Sequence, residues 1–308
     1  MKDSQARNFP LRGYVLIGGT AFFTALSYII GKYLDSSTGG LDPVSTTFFW
    51  FFGAAAVAFL VSVFTPSQRA EFREFRKYRS IFLLTSVFTS VGAVLWVASL
   101  WIIGPALTSF LMKAQTLFSL LLGIIFLRER INRGEAAGMA LTIVGGCAVA
   151  YHKDSYLLLG VAAVLTSALC YSAVAFFVRK ELMRRRLNML TVATLRTFGV
   201  SAILLAYMIS TGTVDAPSPR DILLMGLGGT CGAYIAKSCQ FYAIKLLDLS
   251  RSTAVMPLES LFVVLMSLAI FGAVPSTVKL LGGVSILAGV VFLVVFREQK
   301  TEATIMGK

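Results

Sequence analysis

The sequence predicts an all-α integral membrane protein of ten transmembrane helices, arranged as two inverted-topology repeats of five helices each. Three observations predict this fold class. Of the 308 residues, 56% are hydrophobic and 14% are charged. Apolar stretches of about 20 residues, the length that spans a bilayer, recur between short polar breaks. The second half of the chain also repeats the pattern of the first. A soluble domain of this length has too little interior to hide so many apolar side chains.

The apolar stretches place the predicted helices along the chain. The first follows Lys2, Arg7 and Arg12, is longer than a signal-peptide core and precedes no cleavage motif, so we expect it to be retained. Pro43 and Pro105 fall in the first turns of their helices, where proline is tolerated. The predicted spans are 11–34, 44–64, 81–102, 105–127, 135–151, 156–178, 188–210, 220–245, 251–272 and 278–296.

The formal net charge of +13 has two readings, a surface for nucleic acid or basic cytoplasmic loops. Counted over alternate loops, 21 Lys and Arg fall on one side of the predicted bundle. Four fall on the other side: Lys32, Lys153, Arg220 and Lys279. By the positive-inside rule the rich side is cytoplasmic, with both termini on it. We therefore expect the lipid bilayer, and no nucleic acid, as the partner of this chain.

An internal repeat divides the chain at its middle. A shift of 144 positions superposes Met112 on Met256, Gly138 on Gly282, and Gly145 on Gly289. The first helix of each half needs a slightly larger shift, which places Gly13 on Gly160. Each half, 1–154 and 155–308, then holds five helices. Because five is odd, the second half enters the membrane from the opposite side, as in many secondary transporters.

The repeated glycines have a structural explanation of their own. Gly138 and Gly145, like Gly282 and Gly289, are seven residues apart and therefore share one helical face. Small residues on a face let helix backbones approach closely in lipid. We expect these glycines to pack helices together rather than to bind a ligand.

The stretch 120–146 reads LLLGIIFLRERINRGEAAGMALTIVGG, with an Arg-Glu-Arg turn at 128–130 between two helices and a glycine-spaced helix after it. This stretch, and each half as a whole, resembles the EamA-type repeat of the drug/metabolite transporter superfamily. The second half departs from the pattern, because its matching turn, 272–275, reads Gly-Ala-Val-Pro. The resemblance implies a ten-helix transporter of the bacterial inner membrane with a central cavity between the halves. Bacterial relatives often export amino acids or related metabolites.

Ionisable side chains inside the predicted spans are the functional candidates, because a charge in lipid is costly. Four stand out: Lys113, Arg196, Lys237 and Glu259. At 1.5 Å per residue, the last three lie about 12 Å from the cytoplasmic side, and Lys113 about as far from the other side. Glu259 is expected to pair with Lys237 or Arg196. The pair is either a fixed salt bridge between helices or part of a substrate or proton site.

Three cations against one acid leave a positive surplus, which a substrate carboxylate would offset, with Arg196 suited to bidentate pairing. Pro257, two residues before Glu259, predicts a kink in the ninth helix. Trp50 aligns with Arg196 and either walls the same cavity or packs in the core. Four further polar and aromatic side chains are expected to line the substrate site: Tyr234, Gln240, Trp96 and Gln115.

Several classes of function lack their motifs. The chain has no GxxxxGK[ST] phosphate loop and no HExxH metal motif, and its single histidine, His152, falls in a loop. We expect no cofactor, no metal and no enzymatic activity. An intramembrane lipid-modifying enzyme would need a nucleophile or metal cluster, and a sensor without transport is a third class.

The function expected from the sequence is alternating-access export of an amino acid or an amino-acid-like anion or zwitterion. The alternative is a proton-coupled exporter of cationic drugs with Glu259 as the cation site. The expected partners are a small-molecule substrate and protons, and the expected oligomeric state is a monomer or a homodimer.

Overall fold

Apolar runs bounded by capping residues, prolines and polar turns fold into helices throughout the part of the chain that the structure describes. The computed structural model describes residues 3–37, 42–65, 79–127, 133–150, 155–185, 189–212, 217–246, 258–272 and 275–306. Within these ranges there are ten helices, two of them interrupted. They are α1 Asp3–Ser37, α2 Pro43–Phe64, α3 Arg79–Ile103, α4 Pro105–Leu111 and Ala114–Leu127, α5 Arg133–Ala150, α6 Ser155–Arg185, α7 Met189–Thr211, α8 Pro219–Gly229, Thr230–Ala236 and Lys237–Leu246, α9 Leu258–Phe271, and α10 Thr277–Met306.

Seven stretches of these helices are long and apolar enough to cross a membrane. They are Arg12–Asp35, Pro43–Phe64, Phe82–Ile103, Pro105–Phe126, Leu157–Val178, Thr191–Thr211 and Pro219–Gln240. Shorter apolar helices are Leu258–Phe271 and Thr277–Leu293. Large apolar side chains such as Phe64, Ile125 and Leu223 remain exposed, as lipid-facing residues do. The chain is therefore a multi-pass membrane protein, whereas the ten-span arrangement stays a prediction.

Caps and turns explain where several helices begin. Asp42 caps α2, its carboxylate accepting from the Ser45 amide at 2.5 Å, and Pro43 follows in the first turn. Ser218 caps α8 in the same way, with Pro219 after it. A single residue, Gly104, joins α3 to α4 at φ +81°, a conformation that favours glycine. The predicted placement of Pro43 and Pro105 in first turns is confirmed.

Helix α4 is interrupted, although the sequence predicted one continuous helix over 105–127. The break lies at residues 112–113, where the Lys113 amide donates to the carbonyl three residues back at 3.1 Å. The Ser109 carbonyl, which that amide would bind in a regular helix, accepts instead from the Ser260 hydroxyl of α9 at 3.2 Å. The break has neither proline nor glycine, so the sequence carries no local signal for it. A contact with another helix satisfies the freed carbonyl.

Helix α8 also departs from regular geometry. The sequence predicted an ordinary helix over 220–245, but Thr230–Ala236 winds as a π-helix, a rare geometry that is frequent at functional sites. Just before it, Gly228 and Gly229 face Trp50 so closely that a Cβ on either glycine would overlap the tryptophan. Trp50 is fully packed there. Of the two roles that the sequence allowed for it, cavity wall and core packing, the structure favours core packing.

Glycines bring α5 and α10 into backbone contact. A Cβ added to Gly138 would lie 2.8 Å from the Gly289 carbonyl oxygen, and one added to Gly145 would lie 2.6 Å from the Gly282 carbonyl oxygen. Real Cβ atoms do not approach backbone oxygens this closely, so only glycine fits. The prediction that these four glycines pack helices together is confirmed.

Replacing Gly145 with alanine tests this contact. The added methyl group meets the Gly282 backbone, so we expect Gly145→Ala to lose about 1–3 kcal/mol of stability through overpacking. Thermal unfolding of the purified protein in detergent measures the loss. Gly146→Ala is the matched control, because nothing lies within 4 Å of a Cβ there. Equal unfolding temperatures for the two variants would contradict the proposed backbone contact.

Candidate functional site

A buried ion pair joins α4 to α9. The Lys113 ammonium nitrogen lies 3.1 Å from Oε2 of Glu259, and each residue is 8% exposed. The sequence predicted Lys237 or Arg196 as the partner of Glu259, and that prediction is wrong. The sequence-based depth estimate assumed straight helices, and it placed Lys113 nearer to the opposite side of the membrane than Glu259. The interruption of α4 places Lys113 at a non-helical turn, from which its long side chain reaches Glu259.

Arg196 is bound by the irregular segment of α8. It lies in α7, is 7% exposed, and donates from Nη2 to the Ala233 carbonyl of the π-helix at 3.3 Å. Its Nε has no hydrogen-bond partner in the described part of the chain. Tyr171 of α6 lies within the reach of its charge. The guanidinium is therefore buried with only part of its donor capacity used.

Lys237 begins the last segment of α8 and stays partly exposed. Its ammonium donates to the side-chain oxygen of Gln240 at 3.1 Å. The charges of Arg196, Glu259 and Lys113 all act on it. The structure therefore brings the four charged side chains predicted from the sequence into one electrostatic neighbourhood. Among the described residues, neither Arg196 nor Lys237 forms an ion pair with an acid.

Aromatic rings lie beside the charged group. Trp96 of α3 packs edge-on against Tyr28 of α1, with ring centroids 5.1 Å apart, and against Trp50, with centroids 5.7 Å apart. The charge of Glu259 reaches Tyr28. Sequence reasoning missed Tyr28 and Tyr171, because each is one aromatic residue in a long apolar helix and no spacing distinguishes it.

The remaining predicted residues lie on the same helices. Tyr234 is buried in the π-helix beside Thr194 of α7, and its hydroxyl has no partner among the described residues. Gln115 follows the break in α4, where its backbone carbonyl accepts from the Ser172 hydroxyl at 2.8 Å. Pro257 and the predicted kink lie outside the described residues.

Fold and site together define a multi-pass helical membrane protein with a charged cluster buried among its helices. The model of the EamA-like transporter family matches residues 11–151 and 158–295, and the chain belongs to this family. The resemblance seen in the sequence is therefore confirmed, and the family is one of transporters. An uncharacterised transporter from Methanothermobacter thermautotrophicus is 23% identical over 299 residues, which cover 92% of this chain and 86% of that protein.

A protein of known crystal structure shares the fold. Its TM-score is 0.65 at 16% identity, and the match covers 95% of this chain and 98% of the other.

The ion pair can be tested by removing each partner. Glu259→Gln or Lys113→Met leaves one buried charge unpaired, so we expect each variant to lose about 3 kcal/mol of stability. The double variant should lose less than the sum, as thermal unfolding in a double-mutant cycle would measure. Lys32→Met is the control, because the Lys32–Asp35 pair is about a third exposed and a pair of that kind contributes under about 1 kcal/mol. Strictly additive losses at Lys113 and Glu259 would show that the two side chains do not interact.

Proposed function

We propose that this chain is a secondary transporter of the bacterial inner membrane that exports small polar metabolites, namely amino acids or amino-acid-like anions and zwitterions. One observation carries the proposal. Glu259 is paired with Lys113, so Arg196 and Lys237 have no acidic partner in an ion pair within the described part of the chain. Buried charges of one sign need a counter-charge. A cargo carboxylate supplies it during passage.

The alternative cargo, a cationic drug coupled to protons, fits this arrangement less well. It needs Glu259 as a free anion for the cargo cation. Lys113 already neutralises that carboxylate at 3.1 Å, and Arg196 and Lys237 act nearby with positive charge. A cation entering this neighbourhood meets net repulsion, whereas a carboxylate meets attraction.

The mechanism we propose is alternating access between two inverted halves, 1–154 and 155–308. Two hydrogen bonds support the equivalence of the halves. The Thr20 hydroxyl donates to the Ala236 carbonyl at 3.3 Å, and the Ser167 hydroxyl donates to the Gly92 carbonyl at 2.6 Å.

The shift of 147 positions that relates α1 to α6 carries Thr20 onto Ser167. The shift of 144 positions carries Gly92 onto Ala236. Each bond is thus the repeat image of the other. Under the shift of 144 positions, the contact of Gly138 with Gly289 corresponds to the contact of Gly282 with Gly145. Contacts that map in this way are what a two-fold pseudo-symmetry axis between two repeats produces.

The proposed topology has ten spans with both termini in the cytoplasm. Asp35, at the end of α1, then faces the outside, and Arg79, at the start of α3, faces the cytoplasm. In a variant without native cysteines, a membrane-impermeant maleimide added to intact cells should label Asp35→Cys and leave Arg79→Cys unlabelled. Labelling of Arg79→Cys from outside would overturn the orientation.

Transport by purified protein in liposomes tests the cargo. We expect a mixture of radiolabelled amino acids to be carried, and Lys237→Ala or Glu259→Ala to slow it about tenfold or more, the effect of losing a charge-assisted contact. Arg12→Ala is the control, because this exposed cation lies at the start of the first span.

Two outcomes would contradict the proposal. Uptake of a cationic dye against a proton gradient, without movement of amino acids, would favour the cationic-drug alternative. Full transport by well-expressed Lys237→Ala and Glu259→Ala variants would show that the site lies elsewhere.

A further inference from the structure

The partner of Glu259 is a group that a cargo molecule can imitate. Lys113 presents a compact primary ammonium on a flexible stem, 3.1 Å from Oε2 of Glu259. An amino acid carries the same primary ammonium on its α-carbon at neutral pH. Lys113 projects from the two-residue turn between the segments of α4 rather than from regular helix. Its amide and its carbonyl are hydrogen-bonded to residues three positions away instead of four, so the turn departs from regular helix geometry.

A second contact joins α9 to α4 next to the ion pair. The residue after Glu259, Ser260, donates from its hydroxyl to the Ser109 carbonyl of α4 at 3.2 Å. This bond is buried and joins the same two helices as the ion pair. It holds the first turn of α9 against α4 when Lys113 moves away. Glu259 thus remains positioned to accept another donor.

Aromatic side chains lie in the same region of the bundle as the carboxylate. The charge of Glu259 reaches Tyr28, whose ring packs edge-on against Trp96. Ring faces of tyrosine and tryptophan attract organic ammonium groups. Tyr28 and Trp96 pack in one cluster with Val263, one turn after Glu259, so aromatic rings lie near the carboxylate that would bind the ammonium group.

We propose that Glu259 binds the primary ammonium group of the cargo, and that Lys113 occupies this place in the empty carrier. This proposal rests on the proposed function for the identity of the cargo. It narrows the class of cargo from anions and zwitterions to zwitterions alone. Exchange of one ammonium for another leaves the charge on Glu259 balanced. The displaced Lys113 then joins Arg196 and Lys237 as a cation available to the cargo carboxylate.

Charge balance makes this arrangement selective. A simple cation that displaced Lys113 would leave three cations unpaired, so it is disfavoured. A simple anion would bind to Arg196 and Lys237 but would not displace Lys113 from Glu259. A zwitterion satisfies both ends at once, because it brings an ammonium for Glu259 and a carboxylate for the cations.

Chemical rescue tests the ammonium site. Lys113→Ala removes the atoms of a propylammonium ion and leaves space beside Glu259. We expect propylammonium chloride at about ten times its dissociation constant to raise the unfolding temperature of this variant by about 3 °C. Propanol and tetramethylammonium at equal concentration and ionic strength should have no effect. If Lys113→Ala folds only in buffers that contain propylammonium, that dependence is the same rescue.

Two matched variants test whether the rescue needs both the empty space and the carboxylate. Lys113→Met fills the space with hydrocarbon, so propylammonium should not stabilise it. Lys113→Ala/Glu259→Gln keeps the space but loses the carboxylate, so it should not respond either. Stabilisation of all three variants to the same extent, or of none, would overturn the proposed ammonium site. So would a Lys113→Ala protein that stays unfolded in both buffers.

Transport by liposomes, compared with the rescue by propylammonium, tests the ammonium site and the transport proposal separately. Wild-type liposomes should carry alanine at least tenfold faster than propionate, which lacks the ammonium, or ethylammonium, which lacks the carboxylate. Equal rates for alanine and propionate, with no rescue by propylammonium, would overturn the ammonium site and leave an anion transporter. Rescue by propylammonium, with no polar cargo carried by the liposomes, would overturn the transport proposal and leave the ammonium site.

Discussion

The free energy of a charge in the interior of a bilayer constrains this molecule more than any other term. Each Lys, Arg or acidic residue at the centre of a span costs about 2.5–3.5 kcal/mol by insertion scales. The structure meets that cost in three ways. Lys113 and Glu259 neutralise each other at 3.1 Å. Arg196 binds a backbone carbonyl, and Lys237 binds the amide of Gln240. Only the first of these removes net charge, so the described part of the cluster keeps a positive surplus.

The irregular backbone of α4 and α8 follows from the same constraint. A regular helix in lipid satisfies its backbone groups internally, whereas an irregular turn leaves a backbone group that needs another partner. The break in α4 frees the Ser109 carbonyl, which Ser260 binds. The π-helix in α8 lies where the Ala233 carbonyl accepts from Arg196. Each irregularity therefore sits beside a buried charged residue and is satisfied by a neighbouring helix.

The sequence predicted the helices well, since apolar runs and alternating loop charge are properties of the chain itself. It also singled out the four charged side chains that the structure brings together, because each interrupts an apolar run. It did not predict that Lys113 pairs with Glu259, because counting along straight helices cannot describe a helix that breaks. That break contains neither proline nor glycine and is stabilised by a distant residue, Ser260. Tyr28 escaped notice for a related reason: its proximity to Glu259 comes from tertiary packing and has no pattern along α1.

The glycine seam between α5 and α10 has a consequence for motion. Where Gly138 and Gly145 meet Gly289 and Gly282, the two backbones are in contact, because none of the four residues carries a side chain. Most sliding helix contacts adjust by rotamer changes, and glycine has no rotamers. We therefore expect α5 and α10, one from each half of the chain, to stay together as one rigid unit. In the alternating-access mechanism that we propose, this pair of helices is the fixed frame, and the helices that carry the charged cluster move against it.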